Sequence, residues 1–414
     1  MVISWTALSS ATDIGNSAIT AYNLYWDTGA GTSATTSLYE GLTTSYTLTG
    51  LTSGRNYKFK IRARNIYGYG SFSTEVTLQA STLPGTVTTI TTQYGTYPNV
   101  EIVWSPPASN GGTAITKYQI LIWNPSTSTY VEDMSYCDGS TATVFNNLKC
   151  SFTVTYLMSA YTYTRGTLVR AMVRGFNANG WGSYSNANLD GATIKTTPTR
   201  MNTPVEDPST SSSQIVITWS PISATEDIGG DTIIYYSLEW NQGSVTNVWQ
   251  ELTTPNVLVT SYTMTSGFTP GVTYTFRVRA KNSIGLGVYS FTIVVTPASI
   301  PSKMATAATS TVSTSVRIAW DLPNLNGGII VSYRVWIMKK DGTYNLESTW
   351  CSESDSLMTT NRYCLVRMTD LTSTTYNLVR SDLVRVKVQA SNAKGWGNLS
   401  DVNTVGATVE TLPD

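Results

Sequence analysis

Four short stretches of the chain are mostly apolar, alternate in polarity and end in tryptophan. They read Val2-Ile3-Ser4-Trp5, Val100-Glu101-Ile102-Val103-Trp104, Ile215-Val216-Ile217-Thr218-Trp219 and Val316-Arg317-Ile318-Ala319-Trp320. Because successive side chains of a β-strand point to opposite faces of its sheet, this pattern indicates a strand with one buried face. Its return along the chain predicts an array of repeated domains.

Two further elements follow each tryptophan in the same order. After a polar turn, a second alternating strand opens with tyrosine, at Tyr22, Tyr118, Tyr236 and Tyr333. A later strand alternates inward apolar with outward basic residues and runs into Asn-x-x-Gly-apolar-Gly-x-x-Ser, which begins at Asn65, Asn177, Asn282 and Asn392. Glycine and asparagine accept the positive φ of a tight hairpin loop, so this motif predicts a hairpin in every copy.

In this order, the motifs resemble those of the fibronectin type III family, with the tryptophan on strand B, the tyrosine on strand C and the Asn/Gly loop between strands F and G. The resemblance implies an all-β chain of four tandem antiparallel immunoglobulin-like sandwiches with essentially no helix. We place the domains at residues 1–81, 82–197, 198–298 and 299–414. Short proline-containing linkers, such as Leu83-Pro84 and the final Leu412-Pro413, predict a semi-rigid rod.

The sequence divides the four domains into two alternating kinds. The first and third contain Gly-x-x-Tyr-x-Phe, with Tyr57 and Tyr274 resembling the family's tyrosine corner. In the second and fourth domains the connection between strands E and F is longer. We place the last apolar residue of strand E at Leu157 and Leu371. Valine replaces the corner tyrosine there, and the candidates to replace its hydrogen bond are Tyr161, Tyr163 and Tyr376.

The four cysteines follow the same alternation, in the second and fourth domains. Cys137 and Cys150 lie in one domain, and Cys351 and Cys364 lie in the other at the same spacing. This identical register predicts two intradomain disulfides over free thiols, and metal ligation lacks further ligands. Disulfides place the chain outside the cytoplasm, at the cell surface or in the extracellular space.

Composition excludes several classes of function. Lys plus Arg equals Asp plus Glu, at 26 each, so the chain lacks the basic field that nucleic-acid binding requires. It contains no histidine, the most frequent general base and a frequent metal ligand. No apolar stretch is long enough to cross a membrane. We therefore expect no catalysis, no cofactor, no metal site, no nucleic-acid partner and no membrane insertion by this segment.

Several exposed features are candidate sites. Trp181 and Trp396 occupy the Gly-Trp-Gly of their loops. In one interpretation, Trp181 stacks on Arg170 and Arg174, and Trp396 stacks on Arg385 and Lys387. In the other, the two tryptophans are exposed binding hot spots. The acidic turn at Glu226, Asp227 and Asp231 is better explained as a solvated loop than as a calcium site. Asn398-Leu399-Ser400 is a candidate glycosylation sequon.

The leading functional hypothesis is a structural or adhesive segment of a longer extracellular or cell-surface filament or array. Its partners would be copies of itself or other surface or filament proteins. Only four residues precede Trp5, so we expect the first domain to lack strand A and to offer an unpaired sheet edge. The alternatives are a receptor ectodomain or ligand-binding module, and an accessory region of a larger secreted enzyme.

Overall fold

The structure is a computed structural model that describes residues 1–244 and 248–411, so the predicted Leu412-Pro413 linker lies outside the described residues. It divides into two compact units, Met1–Thr196 and Thr197–Asp414. Each unit contains two pairs of antiparallel sheets, and a separate hydrophobic core fills each pair. The prediction of an all-β chain of fibronectin type III-like sandwiches is therefore confirmed.

The first domain has seven strands. They are β1 (Val2–Ser4), β2 (Ala21–Trp26), β3 (Thr36–Gly41), β4 (Ser45–Thr47), β5 (Asn56–Asn65), β6 (Gly68–Tyr69) and β7 (Val76–Gln79). In the described structure β1, which corresponds to strand B, pairs with β4 alone, and the other five strands form the opposite sheet.

The second domain has seven strands and two short helices. They are β8 (Ile90–Tyr94), β9 (Asn99–Trp104), β10 (Lys117–Asn124), β11 (Thr129–Glu132), α1 (Ala142–Asn147), β12 (Lys149–Thr153), α2 (Val154–Ala160), β13 (Ala171–Asn177) and β14 (Gly180–Trp181). One sheet has the order β12-β9-β8 and the other β11-β10-β13-β14. Here strand B, β9, has a partner on both sides.

The third and fourth domains each consist of a three-stranded and a four-stranded sheet, as the second does. The third contains β15 (Val205–Glu206), β16 (Ile215–Thr218), β17 (Tyr235–Trp240), β18 (Gln250–Glu251), β19 (Ser261–Met264), β20 (Tyr274–Lys281) and β21 (Ile293–Val295). The fourth contains β22 (Ala308–Val312), β23 (Ser315–Ala319), β24 (Ser332–Met338), β25 (Tyr344–Leu346), α3 (Ser356–Asn361), β26 (Tyr363–Arg367), α4 (Met368–Leu371), β27 (Val386–Asn392) and β28 (Gly395–Trp396). Strands β16 and β23 are each paired on both sides.

The strand B tryptophans lie in the cores, each beside the tyrosine of strand C. The ring centroids are 6.0 Å apart for Trp5 and Tyr22, and 5.5, 6.3 and 5.2 Å apart for the corresponding pairs in the next three domains. Large rings from the two sheets thus fill the centre of each sandwich, where aromatic pairs contribute beyond their buried area.

The structure contains little helix, but the placement of Leu157 and Leu371 at the end of strand E was wrong. Strand E ends at Thr153 and Arg367, and Leu157 and Leu371 lie in α2 and α4 and not on a strand. The Thr153 hydroxyl accepts a hydrogen bond from the N–H of Tyr156, which caps the first turn of α2. Because the longer connection has room for a helical turn, the apolar residue reaches the core from a helix.

The first and third domains contain the tyrosine corner that the resemblance implied. The Tyr57 hydroxyl accepts a hydrogen bond from the N–H of Thr52 at 2.9 Å, and Tyr274 accepts one from Thr269 at 2.7 Å. Each tyrosine therefore fixes the turn that precedes strand F.

In the second and fourth domains a buried carboxylate takes the place of this corner. One Asp133 oxygen accepts hydrogen bonds from the hydroxyls of Tyr156 and Tyr161, and the other accepts from backbone N–H groups of the loop that leads to the disulfide. In the fourth domain Glu347 accepts in the same way from Tyr376 and from the N–H groups of Thr349 and Trp350. Tyr163 instead donates to Trp123 O, at 2.8 Å.

Candidate interaction surfaces

The structure joins the cysteines in the pairs that the sequence indicates. The Cα atoms of Cys137 and Cys150 are 5.2 Å apart, and those of Cys351 and Cys364 are 5.4 Å apart. Each bond links strand E to the loop that follows the carboxylate, and all four cysteines belong to the hydrophobic cores. The disulfides therefore brace the sandwiches from inside.

Trp181 lies half-buried on the outer face of its sheet, covered by cationic side chains. The Arg174 guanidinium is 4.8 Å from its ring centroid and 4.2 Å from that of Tyr184, and Lys117 approaches Trp181 to 5.2 Å. Arg174 is one of the two partners that we expected. Trp181 is therefore stacked within the surface of the sheet, and its role as a binding hot spot stays a prediction.

Trp396 is stacked on a cation too, but on a different one from those expected. Its partner is Arg334 of strand C, at 4.1 Å, whereas Lys387 lies over Tyr344. The register explains the difference: Gln119 pairs with Arg174 in the second domain, and Arg334 pairs with Gln389 in the fourth. The arginine that contacts the loop tryptophan therefore lies on strand F in the second domain and on strand C in the fourth.

The third domain has a cation–π ladder that the sequence analysis missed. Arg277 lies between the rings of Trp249 and Tyr289, at 3.9 and 3.6 Å, and Arg279 covers Tyr289 from 4.0 Å. Buried Glu239 accepts hydrogen bonds from both arginines and from Tyr289. The alternating basic residues of strand F were the available signal, but their aromatic partners lie outside that strand, Trp249 before β18 and Tyr289 between β20 and β21.

Two carboxylates of the acidic turn in the third domain accept hydrogen bonds from neighbouring segments. Asp227 accepts from Thr199 of the preceding linker, and Asp231 accepts from Ser283 of the loop between strands F and G. In residues 1–244 and 248–411, no three His, Cys, Asp or Glu side chains are grouped so that they could hold a metal ion.

The sequon residues differ in exposure. Asn398 is exposed, whereas Ser400 is buried and its hydroxyl is bonded to Val388 N and Asp401 O. Glycosylation of Asn398 stays a prediction.

The junction between the two domains is built in the same way within each unit. In the first unit Gly54 lies against Gly112, and in the second Gly271 lies against Gly327, all at positive φ. A β-carbon on Gly112 would lie 2.2 Å from the backbone nitrogen of Gly54, and one on Gly327 would lie 2.6 Å from that of Gly271. Glycine is therefore required at both junctions by its backbone conformation and by the close packing.

Hydrogen bonds fix the same junctions. Asn177 donates to Thr82 O at 2.8 Å, and Thr82 N donates to Gly111 O. Asn392 donates to Ser299 O at 2.7 Å, and Ser299 N donates to Asn326 O. The asparagine of the repeated loop motif thus holds the linker as well as the hairpin.

The first domain has two open depressions. One, of about 390 Å³, lies at the end of the domain between the loop that contains Ile14 and the loop from Tyr67 to Ser71. Beside it, Ile66 and Tyr67 are 77% and 86% exposed. The other, of about 360 Å³, is mostly apolar and lies between the two sheets beside β1.

Comparison with known proteins identifies the domains. The sequence model of the fibronectin type III domain matches residues 1–79 and 197–296. Residues 1–79 and 197–296 are fibronectin type III domains. The two matched segments are the domains with the tyrosine corner and without a disulfide, in which the connection between strands E and F has its shorter form.

Several curated proteins are similar to parts of the chain. Fibronectin type-III domain-containing protein 3A of Homo sapiens is 26% identical over 80% of the chain and 26% of its own length. Kelch domain-containing protein SSO1033 of Saccharolobus solfataricus is 30% identical over 34% of the chain and 18% of its length. Receptor-type tyrosine-protein phosphatase S of Gallus gallus is 31% identical over 50% of the chain and 12% of its length. The chain spans about a quarter or less of these relatives.

Among solved structures, the crystal structure of chicken CNTN1 FN1-FN3 domains matches with a TM-score of 0.29 and 17% identity, over 80% of this chain and all of that one. In the described part of the chain, no helix is both long and apolar enough to pass through a bilayer.

Proposed function

We propose that this chain is a structural or adhesive segment of a longer extracellular or cell-surface filament or array. It acts through contacts with copies of itself or with other surface proteins, and not by catalysis. The observation that carries the proposal is the duplicated pair of domains, in which Gly54/Gly112 and Gly271/Gly327 repeat one fixed junction. A single ligand site has no use for a second copy of such a pair, whereas an extended scaffold does.

The chemistry of the surface supports contacts with protein. Charges of the two signs are equal in number, so long-range attraction to a polyanion is absent. The outer faces carry tyrosine, tryptophan and arginine, as at Arg62, which covers Tyr69 from 3.9 Å. These residue types are enriched at protein interfaces. The two disulfides support a location outside the cytoplasm.

Sedimentation velocity over a series of concentrations tests the proposal. We expect the chain to populate species larger than the monomer as its concentration rises. Gly112→Ala combined with Gly327→Ala disturbs both junctions and should reduce this association. Gly342→Ala is the matched control, since Gly342 also has positive φ but no other atom lies near its missing side chain. A monomer at every concentration would overturn the proposed association between copies of the chain.

A receptor or ligand-binding module is the second candidate, and the exposed Ile66 and Tyr67 favour it. Loop aromatics at the end of a sandwich can serve as the anchor of a binding site. Similarity to a receptor-type phosphatase agrees with this alternative. Under it, Tyr67→Ala would remove binding of a soluble partner and leave the sedimentation of the chain unchanged.

A further inference from the structure

The edge formed by strand E differs between the fourth domain and the other three. Strand E, which is β4, β12, β19 or β26, lies at an edge of its sheet in every domain of the described structure. Its outward side chains are serine and threonine on β4 and β19, Lys149, Ser151 and Thr153 on β12, and Tyr363, Leu365 and Arg367 on β26. Lysine and hydroxyl residues discourage pairing at an exposed edge. The fourth domain instead presents an aromatic and an apolar side chain there.

The backbone of β26 is unpaired along this edge. The Trp320 N–H donates to the carbonyl oxygen of Arg362, so in the register of the two strands the even-numbered residues of β26 bond to β23. Successive residues of a strand direct their backbone groups to opposite sides, and those of Tyr363, Leu365 and Arg367 therefore face away from β23. No strand of the described residues pairs with this side. Since Leu365 is also 40% exposed, the edge is a template for another strand.

The outer face beside this edge carries a complete polar network in the second domain. Glu101 of β9 accepts a hydrogen bond from Lys149 of β12 at 2.8 Å, and another from Gln93 of β8 at 3.2 Å. The carboxylate thus has its cation within the same sheet. In the fourth domain Arg317 occupies the position of Glu101, three residues before the strand B tryptophan. The carboxylate of this face has been replaced by a cation.

The cations of the fourth domain's face contact aromatic rings and not carboxylates. The Arg317 guanidinium lies 4.3 Å from the ring centroid of Tyr363, and that of Arg367 lies 4.3 Å from a ring centroid of Trp350. The indole N–H of Trp350 donates to Asp370 at 2.8 Å. Within residues 1–244 and 248–411, neither Arg317 nor Arg367 takes part in an ion pair. The face is therefore positive, and it can accept a carboxylate from another molecule.

We propose that the free edge of β26 binds an extended acidic segment of another surface protein. The backbone of the segment pairs with that of Tyr363, Leu365 and Arg367, which provides affinity, as in other cases of strand addition. An apolar side chain of the segment packs on Leu365, and a carboxylate faces Arg367. Arg317 adds a second positive charge, and this charge complementarity selects an acidic partner. The inference rests on the proposed adhesive function in that it names a contact surface and the chemistry of its partner.

The direct test uses a short fluorescent peptide whose alternate residues are glutamate, valine and glutamate, with threonine between them and at both ends. Its sequence reads the same in both directions, so it suits parallel and antiparallel pairing alike. Fluorescence anisotropy should show saturable binding to the chain of residues 1–414. A peptide with lysine in place of glutamate should not bind, because like charges would meet at Arg367. Absence of saturable binding of the glutamate peptide, or equal binding of the lysine peptide, would overturn the proposal.

Variants at the edge separate this site from unspecific adhesion. Arg367→Gln removes the charge that faces the peptide and should weaken binding about tenfold or more. Combining it with Leu365→Ser, which gives β26 the residue that β12 has at this place, should remove saturable binding. Ser151→Ala, at the matching position of the second domain, is the control and should leave binding unchanged. Equal binding by the Arg367→Gln variant and the natural chain would contradict the proposed contact.

Leu365→Pro tests the pairing of strands, since proline removes a backbone donor from the free edge without removing one from the β23 ladder. It should abolish binding, whereas Leu365→Val keeps an apolar side chain and the N–H and should bind like the natural chain. If a folded Leu365→Pro variant bound the peptide normally, strand addition would be wrong. Arg367→Gln changes no backbone group, so it tests the site even if the proline variant unfolds.

Sedimentation of the same samples distinguishes the two proposals. Self-association without peptide binding rejects the acidic-segment site and leaves the association between copies of the chain. Peptide binding by a strict monomer rejects that association and leaves the site. Self-association that the glutamate peptide abolishes would assign the edge of β26 to a second copy of the chain and would overturn the proposal of a foreign partner.

Discussion

The two kinds of domain stabilise the same region of the sandwich by different means. In the first and third domains, one tyrosine hydroxyl holds the short turn before strand F, as Tyr57 holds Thr52. In the second and fourth, the longer connection folds into α2 or α4, and a disulfide and a buried carboxylate hold it. A hydroxyl suffices where the turn has a fixed short length. A longer connection loses more conformational entropy on folding, and both the disulfide and the hydrogen bonds to the carboxylate hold it in place.

The disulfides should make the largest energetic difference between the two kinds of domain. Replacing Cys137 and Cys150 with Ala should lower the free energy of unfolding of the second domain by about 3 kcal/mol, as expected for closing a loop of roughly 15 residues. Scanning calorimetry would show one transition moving to lower temperature. The same exchange at Cys351 and Cys364 should move a different transition, and an unchanged thermogram would contradict the proposed bracing.

The buried carboxylate should come next. Tyr376→Phe removes a hydroxyl that donates to Glu347, a side chain that is 5% exposed. Leaving a buried charge short of one donor should cost about 1.5–3 kcal/mol in the fourth domain. Calorimetry of the variant checks this, with Tyr344→Phe as the control in the same domain. A loss equal to that of the control would show that the carboxylate does not depend on the tyrosine.

The tyrosine corner should be worth less, because its hydrogen bond joins two neutral groups. Tyr57→Phe and Tyr274→Phe should each cost about 1 kcal/mol, in the first and third domains respectively. Exposed Tyr67→Phe should have no effect. If the corner variants lost as much stability as Tyr376→Phe, the contrast between a neutral and a charged acceptor would fail.

Most of the fold could be predicted from the sequence, because the pattern of each strand is local. The tryptophan of strand B, the tyrosine of strand C and the Asn/Gly hairpin at Asn65 and its three counterparts each fix an element without reference to distant residues. The tyrosine corners at Tyr57 and Tyr274 could likewise be predicted, since each joins residues that are five positions apart.

The parts that could not be predicted depend on contacts between distant segments. Asp133 meets Tyr161, 28 residues further along the chain, only in the folded domain, and the ladder of Arg277 needs Trp249 from the segment that precedes β18. The helical position of Leu157 was missed because a short apolar run fits the end of a strand as well as a helix. The arginine over Trp396 was missed because it lies on strand C, β24, and not on strand F, β27.

Acid should weaken the second domain through Asp133. Burial raises the pKa of this carboxyl, but the hydrogen bonds from Tyr161, Tyr156 and two backbone N–H groups outweigh burial and hold the pKa below its ordinary value. The unfolded chain, with a pKa of about 3.9 at this residue, therefore binds the proton at a higher pH than the folded domain does. The contribution of Asp133 to stability is complete above about pH 4 and is lost as the pH falls through the folded pKa.

Calorimetry over this pH range tests the role of Asp133. The melting temperature of the second domain, identified by the Cys137 and Cys150 variant, should fall more steeply with decreasing pH in the natural chain than in Asp133→Asn. Exposed Asp190→Asn controls for net charge, and parallel pH profiles for all three proteins would remove Asp133 from the explanation.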